Sequence, residues 1–270
     1  MKSFRQRYRH LIKTTRYGLR FLLKIKRKHI LLACFPKSGS TFLTKILAEM
    51  PEFREVNVSH PQKWQSRVEE DLLEERLVMH HCYNYVTHQH VRYNSITQLL
   101  IDDFDLKPVV LVRNIFDTIF SLSDFITLDK FMSPGDTCNN AMMSVVYSNH
   151  NIIKKMSDEQ RFNFLVDLAI PWYIHFYVSW NDCINKTFVT YEDLNIDTFA
   201  TLKNILQELE LSDSDENIKE YINRASKLPT KKNVAKIGRG EMLPQKLKDR
   251  VRKFASYYPD VDFTPIGIHL

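Results

Sequence analysis

HILLACFPKSGSTFLTKILA, residues 29–48, is the segment that decides the fold. Ile30 to Phe35 is an uninterrupted apolar run, which is typical of a β-strand buried on both faces. A polar turn, residues 36–41, follows, and apolar residues then recur at the spacing of an α-helix. The segment therefore predicts a strand, a tight loop and a helix.

The loop between this strand and helix has the chemistry of an anion site. Backbone N–H groups and the positive end of the helix dipole both favour a negative ligand there. Gly39 lets the backbone approach a ligand, and Lys37 supplies a mobile charge. Ser38, Ser40 and Thr41 add hydroxyl donors. On these residues alone, an ordinary strand–helix turn with a Ser or Thr N-cap is the alternative interpretation.

The loop does not have the Walker A pattern of nucleotide-triphosphate-binding proteins. That pattern is G-x-x-x-x-G-K-[ST], whereas here the lysine precedes a single glycine. An ATP-dependent small-molecule kinase on a related scaffold is therefore an alternative that the motif disfavours.

The composition indicates a globular protein with a sizeable core. The chain has 270 residues, of which 44% are hydrophobic. The four cysteines contain no C-x-x-C pair, which favours a reducing compartment and no structural zinc site. Neither a signal peptide nor a run of about 18 apolar residues is recognisable, so we expect a cytoplasmic protein.

The positive charge is concentrated at the N-terminus. Residues 1–28 hold 11 of the 38 basic residues and no acidic residue, so residues 29–270 carry 27 basic against 32 acidic residues, a net charge of −5. We expect residues 1–28 to form a basic arm or amphipathic helix, and residues 29–270 to form a single domain. The arm either contacts a membrane surface peripherally or is a solvated segment. The acidic balance of the domain disfavours nucleic acid as a partner, and a non-catalytic membrane-surface binder is a further alternative.

A second apolar strand, residues 108–112, also ends in a polar turn. Arg113 follows it, and Ser121 lies eight residues later, about two helical turns along the predicted helix. Arg113 and Ser121 can therefore hold one phosphate. A salt bridge from Arg113 to Asp117 is the alternative.

The repeated order of strand, loop and helix predicts an α/β fold: three layers, α/β/α, around a central, mostly parallel sheet. Ligands of such sheets bind at the carboxyl ends of the strands. We expect Lys37, His90, Arg113 and Tyr191 to meet there.

Four segments together resemble the sulfotransferases that use 3′-phosphoadenosine-5′-phosphosulfate (PAPS), whose fold is P-loop NTPase-like. FPKSGSTF is similar to their 5′-phosphosulfate loop, and VRNIFDTIFSLSDF to their 3′-phosphate motif. VTYEDL resembles the segment whose tyrosine lies near the adenine, and KIGRGEMLPQKLKDRV resembles the late glycine-rich basic loop and helix. The four segments span residues 29–260 in the family's order.

The resemblance implies a role for each matching residue. Lys37 contacts the transferring sulfonate, Arg113 and Ser121 hold the 3′-phosphate, and Tyr191 approaches the adenine. The implied nucleotide-binding residues are Lys37, Ser38, Gly39, Ser40, Thr41, Phe42, Arg113, Ser121, Tyr191, Lys236, Arg239 and Gly240. The late loop departs from the family's R-K-G-x-x-G-x-W form, which leaves Lys231 and Lys232 as rivals for the 3′-phosphate.

The family commonly uses a histidine at a strand end as general base, about 22 residues before the 3′-phosphate arginine. His90 has this position, and His80, His81 and His88 are its competitors. The implied reaction moves a sulfonate from PAPS to a hydroxyl or amine of a small-molecule, glycan or lipid acceptor and leaves adenosine 3′,5′-bisphosphate (PAP). No metal is implied, and the acceptor itself is not encoded in a recognisable motif.

Overall fold

The computed structural model describes residues 27–59, 71–127, 150–228 and 236–270. Most of the predicted arm at residues 1–28 lies outside these ranges, as do Lys231 and Lys232. Of the described residues, no helix is long and apolar enough to cross a bilayer.

The predicted central sheet is confirmed, and its described strands are all parallel. Their order across the sheet is β2-β3-β1-β4-β5. The strands are β1 (His29–Cys34), β2 (Phe53–Val56), β3 (Asn84–Gln89), β4 (Leu106–Val112) and β5 (Thr187–Thr190). β1 lies at the centre, which agrees with its uninterrupted apolar sequence.

Helices cover both faces of the sheet, as predicted. They are α1 (Ser40–Ala48), α2 (Glu74–His80), α3 (Ser95–Phe104), α4 (Ile115–Thr127), α5 (His150–Lys155), α6 (Asp158–Phe164), α7 (Ile170–Asn181), α8 (Tyr191–Ile196), α9 (Thr198–Glu208), α10 (Asp215–Ser226) and α11 (Gln245–Ala255). A π-helical turn (Leu165–Ala169) joins α6 to α7, and 3-10 turns occupy Arg239–Met242 and Thr264–Ile266.

Alternate residues of β1 supply the two halves of the core. Ile30 and Leu32 pack with α1, α9 and α10 on one face, whereas Leu31 and Ala33 pack with α4 and α7 on the other. All four are fully buried. The central strand is thus fixed from both sides, and the loop that follows it starts from a rigid position.

Parallel pairing brings the strand ends to one edge of the sheet. β1 aligns Leu32 with His88 of β3 and Cys34 with Leu111 of β4. The loop after β1 therefore lies between the residues that follow β3 and those that follow β4.

Candidate active site

The loop after β1 has two residues in the left-handed backbone region. Lys37 has φ 70° and Gly39 has φ 82°. A Cβ at Gly39 would lie 2.9 Å from Cδ2 of Tyr191, so only glycine fits here without displacing the tyrosine. The loop is further held by the Ser38 hydroxyl, which donates to the Phe35 carbonyl at 2.7 Å. A non-glycine residue in this backbone region is uncommon and occurs often at ligand sites.

Helix α1 begins without a side-chain cap. Its N-cap is Gly39, and no side chain accepts from the first-turn N–H groups. The alternative of a Ser or Thr N-cap is therefore wrong, since the Ser40 hydroxyl instead bonds Nε2 of His88 at 3.0 Å. The Phe42 N–H donates to the Gly39 carbonyl at 2.9 Å, but the N–H groups of Ser40 and Thr41 precede it and have no acceptor within the helix. The start of α1 is therefore a favourable place for an anion.

Arg113 connects three of the predicted segments. Its Nη1 donates to the Lys37 carbonyl at 3.1 Å, and its Nη2 donates to the Lys236 carbonyl at 3.2 Å. The guanidinium also lies 4.2 Å from the ring centroid of Tyr191. Only 6% of the Arg113 surface is exposed, and Nε is buried without a hydrogen-bond partner. A buried charged donor left in this state is costly unless a ligand meets it.

The Lys37 side chain reaches from the loop to α4. Its Nζ lies 4.1 Å from the centroid of the Phe125 ring, a cation–π distance. The loop backbone is also held from α7, where the buried Tyr173 hydroxyl donates to the Pro36 carbonyl at 3.3 Å. The lysine that the motif singled out is thus positioned by its surroundings.

Asp117 does not pair with Arg113 but fixes the late loop. Its two carboxylate oxygens accept from the N–H groups of Gly240 at 2.6 Å and Gly238 at 2.8 Å. Gly240 is packed tightly, since a Cβ there would lie 2.4 Å from Cβ of Phe116. The late loop is therefore attached to the first turn of α4, beside Arg113.

Arg239 lies in the same loop and is ion-paired with Asp124 of α4. Its Nη2 is 3.1 Å from Oδ1 of Asp124, and the hydrogen bond with that carboxylate raises the pKa of the guanidinium. The predicted contact of Arg239 with a 3′-phosphate stays a prediction, in which the guanidinium would be shared with Asp124.

Tyr191 begins α8 directly after β5, half-buried beside Gly39 and Arg113. Burial raises the pKa of its hydroxyl, and the Arg113 charge opposes this shift. The next residue, Glu192, accepts from the Asn114 N–H at 3.1 Å. Asn114 caps α4 by accepting from the N–H groups of Phe116 and Asp117. A hydrogen bond thus joins the segments that follow β4 and β5.

The remaining predicted residues lie around this centre. Ser121 is buried in α4, on the same helix as Asp117. Thr41 is partly exposed in the first turn of α1, and Phe42 packs against the α1 side of the core. Lys236 is exposed and touches Arg113 through its carbonyl.

His90 follows β3 at the same edge of the sheet. Its Nδ1 lies 2.8 Å from the Cys34 carbonyl oxygen. Because a carbonyl can only accept, the bond assigns the proton to Nδ1 and leaves Nε2 as the basic nitrogen. Only 8% of His90 is exposed. This tautomer is the one a general base needs when Nε2 faces the substrate.

The other three histidines occupy different places. His88 contacts the loop after β1 through Ser40. His81 packs on His29, with ring centroids 4.9 Å apart, and His80 lies against Tyr85. His29 and Tyr85 are paired at the amino ends of β1 and β3, so His80 and His81 are on the order of 15 Å from the loop, the length of a six-residue strand.

Several residues of the site were not predicted from the sequence. Asp117 and Glu192 lie within the recognised segments VRNIFDTIFSLSDF and VTYEDL, and Cys34 directly precedes FPKSGSTF, but the contacts that they make here were not assigned to them. The H-x-H spacing of His88 and His90 is the one signal that was present, because residues two apart on a strand share a face.

Comparison with known proteins identifies the family and agrees with the fold. The sequence model of the family described as "Sulfotransferase domain" matches residues 27–255. The fold is similar to that of mouse sulfotransferase SULT7A1 complexed with PAP, with a TM-score of 0.61 and 13% identity over 89% of this chain and 88% of that one. No curated protein matches the sequence.

Retinol dehydratase shares the fold as well. Its complex with retinol and PAP has a TM-score of 0.51 and 14% identity, covering 88% of this chain and 84% of that one. Its complex with androsterone and inactive cofactor PAP has a TM-score of 0.52 and 14% identity, covering 88% and 83%. At sequence identities of 13–14%, these similarities establish the fold alone.

Proposed function

The chain belongs to the sulfotransferase domain family, and we propose that it transfers a sulfonate group from PAPS to a hydroxyl or amine of an acceptor. One observation supports this most: the loop after β1 and the turn after β4, which we propose as two anion sites, are joined by the 3.1 Å hydrogen bond from Arg113 to the Lys37 carbonyl. PAPS carries a phosphosulfate and a separate 3′-phosphate, so a donor of this shape needs two such elements side by side.

The residues present fit this nucleotide. A guanidinium has five N–H donors, of which Arg113 uses one each at the Lys37 and Lys236 carbonyls. The buried Nε is among the three that remain. We propose that these donors, together with the Ser121 hydroxyl, hold the 3′-phosphate.

The loop after β1 would bind the phosphosulfate. The N–H groups at the start of α1 would face its negative charge, and we propose that the Ser38, Ser40 and Thr41 hydroxyls add contacts to them. For this contact the Ser38 hydroxyl would turn away from the Phe35 carbonyl, to which it donates at 2.7 Å. The close contact of Gly39 with Tyr191 places an aromatic ring beside the loop. Tyr191 and Phe42 would therefore border the adenine.

Three residues of the late loop complete the proposed nucleotide site. Lys236 and Gly240 are held next to Arg113 and Asp117 by their backbone groups. Arg239 would contribute to the 3′-phosphate while paired with Asp124. The loop would thus border the nucleotide beside Arg113.

His90 would act as the general base. Its Nδ1–H is directed at the Cys34 carbonyl, so Nε2 can take the proton of an acceptor hydroxyl or ammonium group. The acceptor oxygen or nitrogen then forms a bond to sulfur while the bond from sulfur to the bridging oxygen breaks. Lys37 and the α1 N–H groups would stabilise the charge that develops on the leaving phosphate.

The acceptor is proposed to be a small molecule that offers a hydroxyl or amine. Retinol dehydratase, which shares the fold, is solved with retinol and with androsterone. The proposal also includes glycan and lipid acceptors, and the assay described below distinguishes these classes from small molecules.

The test is transfer of labelled sulfonate from PAPS to a panel of phenols, steroid alcohols, amines, glycans and lipids. We expect the unmodified chain to label at least one class and Lys37→Ala to label none. Alanine and lysine both carry a Cβ, so the left-handed backbone at this position penalises them alike. Lys246→Ala, an exposed lysine of α11, is the matched control. Substantial transfer by a folded Lys37→Ala chain would contradict the role of the loop.

A further inference from the structure

Cys34, His88 and His90 form a compact cluster beside the loop. One potential ligand atom from each lies within 4.8 Å of the other two. The parallel pairing of β1 with β3 explains why these three side chains lie together. Leu32 of β1 aligns with His88 of β3. Cys34 and His90 lie two residues beyond Leu32 and His88, so their side chains point to the same face of the sheet as His88. The cluster is therefore built by the sheet and not by a surface loop.

The donor set has the chemistry of a zinc site. One thiolate and two imidazoles are borderline-soft ligands that suit Zn²⁺, whereas Mg²⁺ and Ca²⁺ prefer oxygen. Sγ of Cys34 lies 3.5 Å from Nδ1 of His90. Two ligands of one tetrahedral zinc ion are also about 3.5 Å apart, given bonds of about 2.3 Å to sulfur and about 2.0 Å to nitrogen.

The cluster is shielded from bulk water. Cys34 is fully buried, and His88 and His90 are 4% and 8% exposed. The Ser40 hydroxyl, 3.0 Å from Nε2 of His88, is placed to orient that ring, as hydrogen bonds do for many metal-bound histidines. Three protein ligands leave one position for water, so the site would exchange its ion more readily than a four-ligand structural site.

We propose that Cys34, His88 and His90 bind Zn²⁺, and that zinc occupancy and sulfonate transfer exclude each other. On binding, the Cys34 thiol releases its proton to solvent and a zinc–sulfur bond forms, with no change of oxidation state. On coordination, Nδ1 of His90 would exchange its hydrogen bond with the Cys34 carbonyl for the bond to zinc, and its proton would pass to Nε2. The neutral ring would then keep no basic nitrogen for the acceptor. The exclusion rests on the proposed function, in which His90 is the base, whereas zinc binding itself does not.

Binding is measured on the full, reduced and chelator-stripped chain, without PAPS. Zn²⁺ is titrated in competition with a chromogenic chelator, and Co²⁺ reports a thiolate ligand through its near-ultraviolet charge-transfer band. We expect one ion per chain. Cys34→Ser should lose the band and weaken zinc binding by roughly tenfold or more, whereas Cys82→Ser, Cys138→Ser and Cys183→Ser should match the unmodified chain.

The variant His88→Gln gives an independent test of the site if Cys34→Ser does not fold. His88→Gln should abolish the rise in unfolding temperature that Zn²⁺ gives the unmodified chain. Lack of stoichiometric binding, or binding that Cys34→Ser and His88→Gln leave intact, would overturn the proposed site.

Activity separates this inference from the proposed function. If Zn²⁺ inhibits sulfonate transfer by the stripped chain and a chelator restores it, the proposed exclusion is supported. If the rate of transfer is unchanged at saturating zinc, the exclusion is overturned. If the stripped chain binds zinc but transfers no sulfonate from PAPS to any acceptor, the proposed function fails and the metal site stands.

Discussion

Replacement of Arg113 by lysine tests how the second phosphate is held. Arg113 has three N–H donors beyond those given to the Lys37 and Lys236 carbonyls, and Nε is buried without a partner. Lysine keeps the charge but loses the planar fork. A hydrogen bond to a charged group contributes about 1.5–3 kcal/mol, so loss of one or two gives about 3 kcal/mol, or roughly hundredfold weaker binding of PAP.

Calorimetry with two ligands isolates the phosphate contact from structural damage. PAP and adenosine 5′-monophosphate differ by the 3′-phosphate, so Arg113→Lys should weaken PAP binding by the factor above and leave the monophosphate nearly unchanged. Arg224→Lys, an exposed arginine of α10 paired with Glu220, is the matched control. If Arg113→Lys weakened both ligands equally, Arg113 would serve only to support the loops, and the assignment of the 3′-phosphate would be refuted.

Two further substitutions address the base and the late loop. His90→Ala should lower kcat by a factor of about 10²–10⁴ without changing the affinity for PAP. His81→Ala, at the other end of the sheet, should leave kcat unchanged. Steady-state kinetics in which His81→Ala lowers kcat and His90→Ala does not would exclude His90 as the base. Asp117→Asn should cost about 1–3 kcal/mol in the free energy of unfolding, because an amide oxygen can replace only one of the two carboxylate acceptors of the Gly238 and Gly240 N–H groups. Denaturant unfolding of Asp117→Asn beside the exposed control Asp260→Asn measures this, and equal stability of the two would show that the bonds to Asp117 contribute nothing.

The central strands were predictable because they are buried on both faces. Of the described strands, only β1 and β4 combine a long apolar run with a polar turn, and both are followed by residues of the proposed nucleotide site. Local pattern was informative there, because strands of a parallel sheet are covered on both faces and have continuous apolar sequences. The individual roles of the site residues came from the family resemblance and not from pattern.

The partner of Arg113 was not predictable from spacing. An i,i+4 salt bridge to Asp117 requires both residues on one helix, but α4 begins at Ile115 and Arg113 precedes it. Asp117 instead bonds to glycines more than 100 residues later in the chain. Such contacts depend on tertiary packing, which a single sequence does not display.

The cysteine–histidine cluster was missed for the same reason. The absence of a C-x-x-C pair led us to expect no structural zinc site, because local spacing is what identifies such sites in a sequence. Here the register between β1 and β3 brings Cys34 to His88 and His90, more than 50 residues away. Strand register is set by packing across the sheet, and the sequence of either strand alone does not reveal it.

Calorimetric comparison of PAP with ATP, each with and without Mg²⁺, tests the central claim most directly. The claim is that the loop after β1 and Arg113 after β4 together bind a nucleotide with phosphates at both the 5′ and 3′ positions. It predicts that PAP binds at least tenfold more tightly than ATP and that Mg²⁺ does not change this order. Tighter binding of ATP that depends on Mg²⁺ would contradict the claim and favour a kinase.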